Sequence, residues 1–303
     1  MAVVGPPELG TTVVGQGVGG RPDDLAPPAG VRPARGLGRL GPIAVVVVCG
    51  LFFLLPLLAM ARFSLQNVPM VRLGWSTLFD NWSFSGITRA FDEPEFRSSL
   101  YVSLRLAVGT VVLTLALLLP TTLWVHLRIP KARPFVEFLT VLPYVIPPIA
   151  LVAGIVPIQP HARWFLNSDY SLIPFYTVLA LPFTFRAIDA GVRAIDVKTL
   201  VDASRSLGAG WGTTLRRALI PNLRTAIVSS SFLTAAVVLG EFTLASVLLK
   251  RTFPPFLEEY QQREPQAGMG LGLLALVLTT GLFAILSLLT RKRGAARAAP
   301  TFF

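Results

Sequence analysis

Residues 42–61 read PIAVVVVCGLFFLLPLLAMA, twenty residues without a single charged side chain. About 20 helical residues are enough to cross the roughly 30 Å hydrocarbon core of a bilayer. The chain around this stretch has 303 residues, of which 53% are hydrophobic and only 14% are charged. Soluble domains carry about a quarter charged residues. We therefore expect an all-α, polytopic membrane protein.

Five further apolar stretches follow the first, which gives six predicted transmembrane helices. They cover residues 98–125, 138–158, 170–185, 225–249 and 268–290. The third holds four prolines and the fourth holds two. Proline removes a backbone donor and kinks a helix, so neighbouring helices must satisfy the freed carbonyls. An even number of spans places both termini on the same side of the membrane.

The lysines and arginines indicate which side that is. With the N-terminus inside, the inner tails and loops carry 18 basic residues and the outer loops carry 8. Cytoplasmic loops are enriched in Lys and Arg, so we expect both termini in the cytoplasm and the chain in the cytoplasmic membrane. Only four of the 27 basic residues are lysine, and this arginine bias fits a bacterial source. The surplus of the net charge of +11 then faces anionic lipid headgroups and any cytoplasmic partner. No nucleic-acid partner is expected, because no aromatic and basic patch or known nucleic-acid module is present.

Residue types that support catalysis or metal binding are scarce. Cys49 is the one cysteine, and His126 and His161 lie far apart in the sequence. This spacing suits no histidine-based metal site, and no G-x-x-x-x-G-K-[ST] phosphate loop is present. We expect no catalytic residues, no metal and no cofactor of the chain's own.

The predicted organisation has four parts. Residues 1–40 contain nine glycines and six prolines without an apolar period, and are interpreted as a disordered cytoplasmic tail. Residues 41–62 form the first transmembrane helix, and residues 95–290 form a core of five helices. Residues 291–303 form a basic cytoplasmic tail.

The segment between the fourth and fifth spans, residues 186–224, is much longer than the usual 2–8 residues between bundle helices. Apolar residues recur close to helical spacing over residues 196–207, and Gly208 then suits the positive-φ position after a helix. A second short helix is predicted over 211–220, which Pro221 should break. The predicted result is a helix, a glycine turn, a second helix and a proline break.

These residues resemble the EAA loop of the inner-membrane permease subunits of binding-protein-dependent ABC importers. The family pattern is E-A-A, three residues, G, nine residues and I-x-L-P. In this chain Asp202 stands for Glu, Ser204 for Ala, Ala218 for Ile and Ile220 for Leu, whereas Ala203, Gly208 and Pro221 match at the same distances. The resemblance extends over residues 95–290, with the EAA-like loop at 189–222.

The resemblance implies a mechanism and a set of partners. The loop would be a coupling helix that sits in a cleft on a separate ATPase, whose closure switches the bundle between inward and outward openings. Two permease subunits, identical or different, would assemble with two cytoplasmic ATPase subunits and an external solute-binding protein. ATP would be bound by the partner, so the chain itself would not be an enzyme.

The same resemblance implies roles for single residues. Asp202 would meet a basic residue of the ATPase, and Ala203 would keep the helix surface flat beside Ser204. Gly208 would permit the turn. Pro221, after Ile220, would fix how the chain re-enters the membrane. The alternative is a solvated amphipathic loop that contacts only water or lipid headgroups.

Two charged residues fall inside predicted spans, where charge is costly and is usually retained for function. Arg105 and Glu241 are both expected in the outer half of the membrane, at similar depth. They could pair with each other or line the solute pathway. Alternatively, Arg105 reaches the outer interface, and Glu241 caps a kink or is protonated.

The solute is indicated only weakly. The run Leu239 to Phe242 and the proline-containing segment after it resemble the polyamine, phosphonate, iron and thiamine branch of these importers. Acidic residues on the outer side, Glu241, Glu258 and Glu259, favour a spermidine- or putrescine-type solute, with phosphonate, iron or thiamine as alternatives. A stand-alone secondary transporter is the alternative class, but such proteins usually show internal repeats. An intramembrane enzyme and a structural or insertase-type protein are two further alternative classes.

Overall fold

The structure is a computed structural model that describes residues 37–66, 82–158 and 160–295. Within these ranges the regular secondary structure is helical, apart from one antiparallel bridge between Gln66 and Trp82. The predicted tails, residues 1–40 and 291–303, lie largely outside the described residues. The chain forms two units, residues 1–54 and residues 55–303.

Thirteen α-helices are present in the described ranges. In chain order they are α1 (Leu37–Leu65), α2 (Ser85–Asp92), α3 (Pro94–Arg128), α4 (Arg133–Val145), α5 (Pro148–Ile155), α6 (Arg163–Leu166), α7 (Leu172–Arg193), α8 (Val197–Ser206), α9 (Trp211–Thr213), α10 (Ile220–Gly240), α11 (Thr243–Val247), α12 (Phe253–Arg263) and α13 (Pro265–Ala295).

Four helical stretches in the described ranges are long and apolar enough to cross a membrane: residues 41–65, 94–128, 169–193 and 211–240. A bent pair of helices, residues 130–145 and 148–158, makes a fifth candidate if it is counted as one span. The sixth predicted span corresponds to α13, whose apolar part over Pro265–Gly281 is shorter. The structure therefore supports a polytopic helical membrane protein with four or five clear candidate spans.

The predicted third span, residues 138–158, is not one straight helix. Its two halves, α4 and α5, meet at an angle of 82°. Ile146 is extended between them, with ψ at 122°, and Pro147 follows with ψ at 138°. A proline disfavours helical geometry in the residue before it, so two consecutive prolines at 147 and 148 break the helix rather than kink it.

The boundaries of the predicted long loop also need correction. Helix α7 continues to Arg193, eight residues past the predicted end of the fourth span at Phe185. The chain is helical again from Trp211 to Gly240 without a break at Pro221. The connection between these helices is therefore residues 194–210.

Pro221 fails to end the helix because the turn before it is widened. Residues Thr214–Leu219 form a π-helical turn that leads directly into α10. Proline lacks the backbone N–H and crowds the carbonyl four residues earlier. A π turn changes the hydrogen-bond spacing there, and in this position it lets the helix continue through the proline.

Helices α3, α7 and α10 form the centre of residues 55–303, and hydroxyl side chains line their contacts. Thr184 of α7 and Thr234 of α10 are fully buried, with their hydroxyl oxygens 2.6 Å apart. Thr114 of α3 lies 3.5 Å from Thr177 of α7 and donates to its own helix at Thr110 O. Small and hydroxyl-bearing residues allow membrane helices to approach closely.

Two apolar clusters occupy opposite ends of α7. The first, around Leu172 and Tyr176 at its N-terminal end, includes Leu244 and Ala245 of α11. The second, around Ile188 and Val192 at its C-terminal end, includes residues of α3, α8 and α10. We call the second cluster the loop-end core. It attaches α8 to the three central helices.

Candidate functional site

Helix α8 begins where the sequence places a capping residue. The Asp196 carboxylate accepts hydrogen bonds from the Thr199 backbone N–H at 3.1 Å and the Thr199 hydroxyl at 2.6 Å. These bonds lower the pKa of Asp196 below its usual value. An acceptor at this position satisfies donors that the first helical turn leaves free, so α8 has a defined start.

The end of α8 is defined just as sharply. Gly208 has a φ of +79°, as expected for a glycine at this position. Its N–H donates to Arg205 O at 2.9 Å, and the Ala209 N–H donates to Ser204 O at 3.0 Å. This pair of bonds is the Schellman arrangement that ends helices at a left-handed residue. The predicted helix over 196–207 and its glycine turn are thus confirmed as local structure.

The two faces of α8 differ in exposure. Val197 and Val201 are buried in the loop-end core, and Leu200 packs against it. On the other face Asp202, Ala203 and the turn at Gly208 are exposed, and Leu207 is 88% exposed. A leucine this exposed at the end of a firmly capped helix is available for contact with another protein.

The remaining residues of the EAA-like motif are distributed around α8. Ser204 is half-buried and donates its hydroxyl hydrogen bond to Leu200 O at 2.7 Å. Ile220 and Pro221 are exposed in the long helix after the π turn. The Arg205 guanidinium lies over the Trp211 ring, 5.6 Å from its centroid, and so spans the connection between α8 and α9.

A buried carboxylate at the end of α7 was not singled out by the sequence. Asp189 is only 2% exposed. Its oxygens accept two hydrogen bonds of 2.8 Å from Arg133, at the start of α4. Arg193 Nε is 3.1 Å away, and His126 Nε2 of α3 is 3.4 Å away. The Asp189–Arg193 spacing of four residues is the local signal that could have suggested a helical ion pair.

Glu241 lies at the opposite end of the bundle, in the break between α10 and α11. It is buried, and both of its carboxylate oxygens accept the Leu244 backbone N–H, at 2.9 and 3.1 Å. Helix α10 ends at Gly240, so Glu241 is at a helix end rather than within a continuous span. Of the expected roles, the geometry is that of a cap at a kink.

Arg105 does not form an ion pair with Glu241 among the described residues. Its guanidinium lies 4.8 Å from the ring centroid of Tyr101 and 5.3 Å from that of Tyr170. The side chain is exposed and borders a cavity of about 270 Å³ that Asn167, Ser168 and Asp169 also line. Cation–π contacts of this kind hold a guanidinium in place without neutralising its charge.

Lys250 lies behind the same segment. Its ammonium group is buried and donates to Asn167 O at 2.9 Å and Ser168 O at 3.0 Å. Burial lowers the pKa of Lys250, while the Asp169 carboxylate, 4.0 Å away, acts in the opposite direction. These two hydrogen bonds hold the backbone of Asn167 and Ser168 in place beside Arg105.

A second cavity at this end, of about 530 Å³, lies between the start of α3 and α12. Its acidic residues are engaged with neighbours: Glu259 pairs with Arg263, Glu258 accepts from Gln262, and Glu95 is 3.5 Å from Arg251. In the described ranges no group of three or more His, Cys, Asp or Glu side chains is placed to hold a metal ion.

The chain is similar to known transport proteins. The sequence pattern of the family described as "Binding-protein-dependent transport system inner membrane component" matches residues 119–293. The molybdenum transport system permease protein ModB of Mycobacterium tuberculosis is 28% identical over 206 residues, which are 61% of this chain and 76% of that protein. ModB of Mycobacterium bovis matches equally.

Two further similarities extend the comparison. A probable ABC transporter permease protein of Sinorhizobium fredii, y4fN, is 26% identical over 231 residues, covering 71% of this chain and 38% of that protein. A bacterial ABC transporter that imports the acidic polysaccharide alginate has a chain of the same fold, with a TM-score of 0.65 and 17% identity. The match covers 84% of this chain and 98% of that one.

The family pattern extends from the second half of α3 to α13 and includes α8 and Gly208. It covers more than half of the chain. This protein therefore belongs to the family of inner-membrane components of binding-protein-dependent transport systems.

Proposed function

We propose that this chain is the membrane-spanning subunit of an ABC importer, with α8 as the helix through which a separate ATPase drives it. Family membership over residues 119–293 carries this proposal. The capped ends of α8, its buried inner face and its exposed Leu207 support it, because a helix that transmits force must be fixed to its own bundle.

The proposed assembly has two permease subunits, two cytoplasmic ATPases and an external solute-binding protein. In it the chain has six spans, with α8 and both termini in the cytoplasm. The excess of Lys and Arg on that side supports this orientation. Residues Asp202, Ala203, Ser204, Gly208, Ile220 and Pro221 form the surface against the ATPase or shape it.

The experiment is co-purification followed by transport. The tagged chain, expressed with its ATPase, should retain the ATPase in detergent, and the complex in liposomes should move solute only when ATP is supplied. Retention of no ATPase, or solute accumulation by the purified chain alone, would contradict the proposal and favour a stand-alone secondary transporter.

For the solute we propose a small oxyanion of the molybdate class. The relatives named for molybdenum transport support this, as does the exposed Arg105 guanidinium beside the 270 Å³ cavity. The polyamine, phosphonate, iron and thiamine alternatives came from sequence resemblance. The acidic residues that favoured a polyamine, Glu241, Glu258 and Glu259, are engaged in hydrogen bonds and an ion pair within the chain.

Uptake measurements separate these solutes. In liposomes that hold the complete importer, labelled molybdate should accumulate with ATP, whereas labelled putrescine should not. Arg105→Gln should raise the molybdate concentration needed for half-maximal uptake several-fold. Arg97 is also exposed on α3, and Arg97→Gln should leave this concentration unchanged. Accumulation of putrescine without molybdate would reverse the assignment.

A further inference from the structure

The ion-pair cluster around Asp189 lies next to α8 and shares no residue with the surface proposed to meet the ATPase. Arg133 donates one hydrogen bond of 2.8 Å to each carboxylate oxygen of Asp189. Arg193 and His126 approach the same carboxylate at 3.1 and 3.4 Å. A guanidinium fork bound to a carboxylate fixes orientation as well as distance.

These contacts join three membrane helices at one point. His126 lies near the end of α3, Arg133 starts α4, and Asp189 lies four residues before the end of α7. The connections are not local, since Arg133 and Asp189 are 56 residues apart in the chain. Movement of the end of α7 therefore reaches α4 through the hydrogen-bonded Arg133, and α3 through the 3.4 Å contact with His126.

The same point is continuous with α8. Ile188 and Val192, on either side of Asp189, are buried in the loop-end core with Val197 and Val201 of α8. Three residues separate the end of α7 at Arg193 from the start of α8 at Val197. A displacement of α8 would therefore also move the end of α7, which carries Asp189.

Stability alone does not account for such a cluster. Replacing a whole buried ion pair with apolar residues is often neutral or stabilising, whereas removing one partner is strongly destabilising. What a buried, bidentate pair supplies beyond apolar packing is one defined geometry. Apolar helix ends could slide past one another, but helix ends held by Asp189 cannot.

We propose that Asp189 is a positioning residue that clamps the ends of α3 and α4 to α7, so that displacement of α8 by the ATPase moves the three helices as one body. The proposal rests on the proposed function of α8. It predicts that loss of the clamp separates ATP hydrolysis from movement of the bundle.

The test reads movement at the far end of the bundle without requiring a known solute. A single cysteine replaces Ser98, which is exposed and borders the 530 Å³ cavity, in a Cys49→Ala background. The complex with its ATPase is labelled with a membrane-impermeant maleimide, with and without ATP and vanadate. In the otherwise unchanged chain, nucleotide should alter the labelling rate several-fold.

Asp189→Asn should retain the ATPase and hydrolyse ATP, yet lose the nucleotide-dependent change in labelling at position 98. Asp189→Glu, which keeps the charge, should recover part of it. Arg186→Gln is the matched control, because Arg186 lies on α7 and contacts Glu137 but not Asp189. If Asp189→Asn cannot be purified, Arg133→Lys, which keeps a positive charge but loses the fork, serves in its place.

The outcomes are distinct. A nucleotide response in Asp189→Asn equal to that of the unchanged chain would overturn the clamp. A variant that is merely less abundant but responds normally would also overturn it, since that marks a purely structural role. If the unchanged chain itself binds no ATPase, the proposed function of α8 fails, and the clamp proposal fails with it.

Discussion

At the scale of single residues, Gly208 has the most specific requirement. Its φ of +79° lies in the left-handed region, and nothing approaches the position where a Cβ would be. A side chain at this position is therefore unfavourable because of the backbone conformation and not because of a clash with a neighbouring residue. Because the two Schellman hydrogen bonds depend on this conformation, the direction in which the chain leaves α8 depends on this residue.

We predict that Gly208→Val lowers ATP-driven uptake at least tenfold while the chain remains in the membrane. A β-branched residue opposes the left-handed conformation, so the end of α8 and the exposed Leu207 would shift. Gly210→Val is the matched control, because Gly210 has an ordinary extended backbone with φ −73° and open space around it. Normal uptake by Gly208→Val would remove the coupling role from this turn.

Glu241 supports a second prediction at this scale. We expect Glu241→Gln to keep most of the uptake, because the amide oxygen can still accept the Leu244 N–H. Glu241→Ala leaves that buried donor unpaired and should lower stability by about 1 kcal/mol. Uptake with thermal unfolding of the purified chain measures both. A loss of uptake in Glu241→Gln at unchanged stability would show that the carboxylate contacts the solute instead.

At the scale of elements, the contact of α7 with α10 depends on the absence of a side chain. A Cβ placed on Gly191 would lie 2.2 Å from the Cβ of Ala226, which real structures do not tolerate. The two helices meet closely here, just before α7 ends. This close approach brings α10 to the loop-end core beside α8.

We predict that Gly191→Ala destabilises the chain by about 1–3 kcal/mol, the usual cost of overpacking a tight contact. The double variant Gly191→Ala with Ala226→Gly should regain most of this loss, because the contact then holds one methyl group, as in the unchanged chain, but on α7 instead of α10. Thermal unfolding in detergent measures the difference. If the double variant is no more stable than Gly191→Ala alone, the helices do not meet at these residues.

Elements with local signals were predictable from the sequence. Helix α8 carries its own start at Asp196 and its own stop at Gly208, so its pattern identified it. The end of α7 was predicted too early because Arg186, Asp189 and Arg193 resemble a solvated loop. Both carboxylate oxygens of Asp189 accept hydrogen bonds from Arg133, 56 residues earlier, and no local pattern reveals such a pair.

The helix through Pro221 and the break near Pro147 also show that the effect of a residue depends on its surroundings. A proline at either place has the same local chemistry, but a π turn precedes one and a second proline follows the other. The candidate site divides similarly. The exposed motif on α8 could be found from the sequence, and a cap at Glu241 is among the roles that the sequence suggests. The buried cluster around Asp189 required the packing of the whole bundle.

At the level of the whole molecule, α8 and the cavities near Arg105 must lie on opposite sides of the membrane if the chain works as proposed. The two apolar clusters at the two ends of α7 already separate these regions within the bundle. The distribution of Lys and Arg favours the proposed position of α8 in the cytoplasm. This orientation determines which partner each end can meet.

We predict opposite labelling from the two sides. In a Cys49→Ala background, Ser206→Cys on α8 should react with an impermeant maleimide only after the membrane is opened. Arg251→Cys, which is exposed beside the larger cavity, should react in intact cells. The reverse pattern would place α8 outside the cell, where no ATPase could reach it.

A cross-link from the exposed leucine of α8 tests most directly whether α8 contacts the ATPase. Leu207→Cys, in the same cysteine-free background, carries a short photoactivatable cross-linker in membranes that contain the chain and its ATPase. We expect a covalent adduct with the ATPase subunit, and none from Leu249→Cys, which is 89% exposed at the opposite end of the bundle. An ATPase that co-purifies with the chain but forms no adduct from position 207 would contradict the assignment of α8 as the coupling helix.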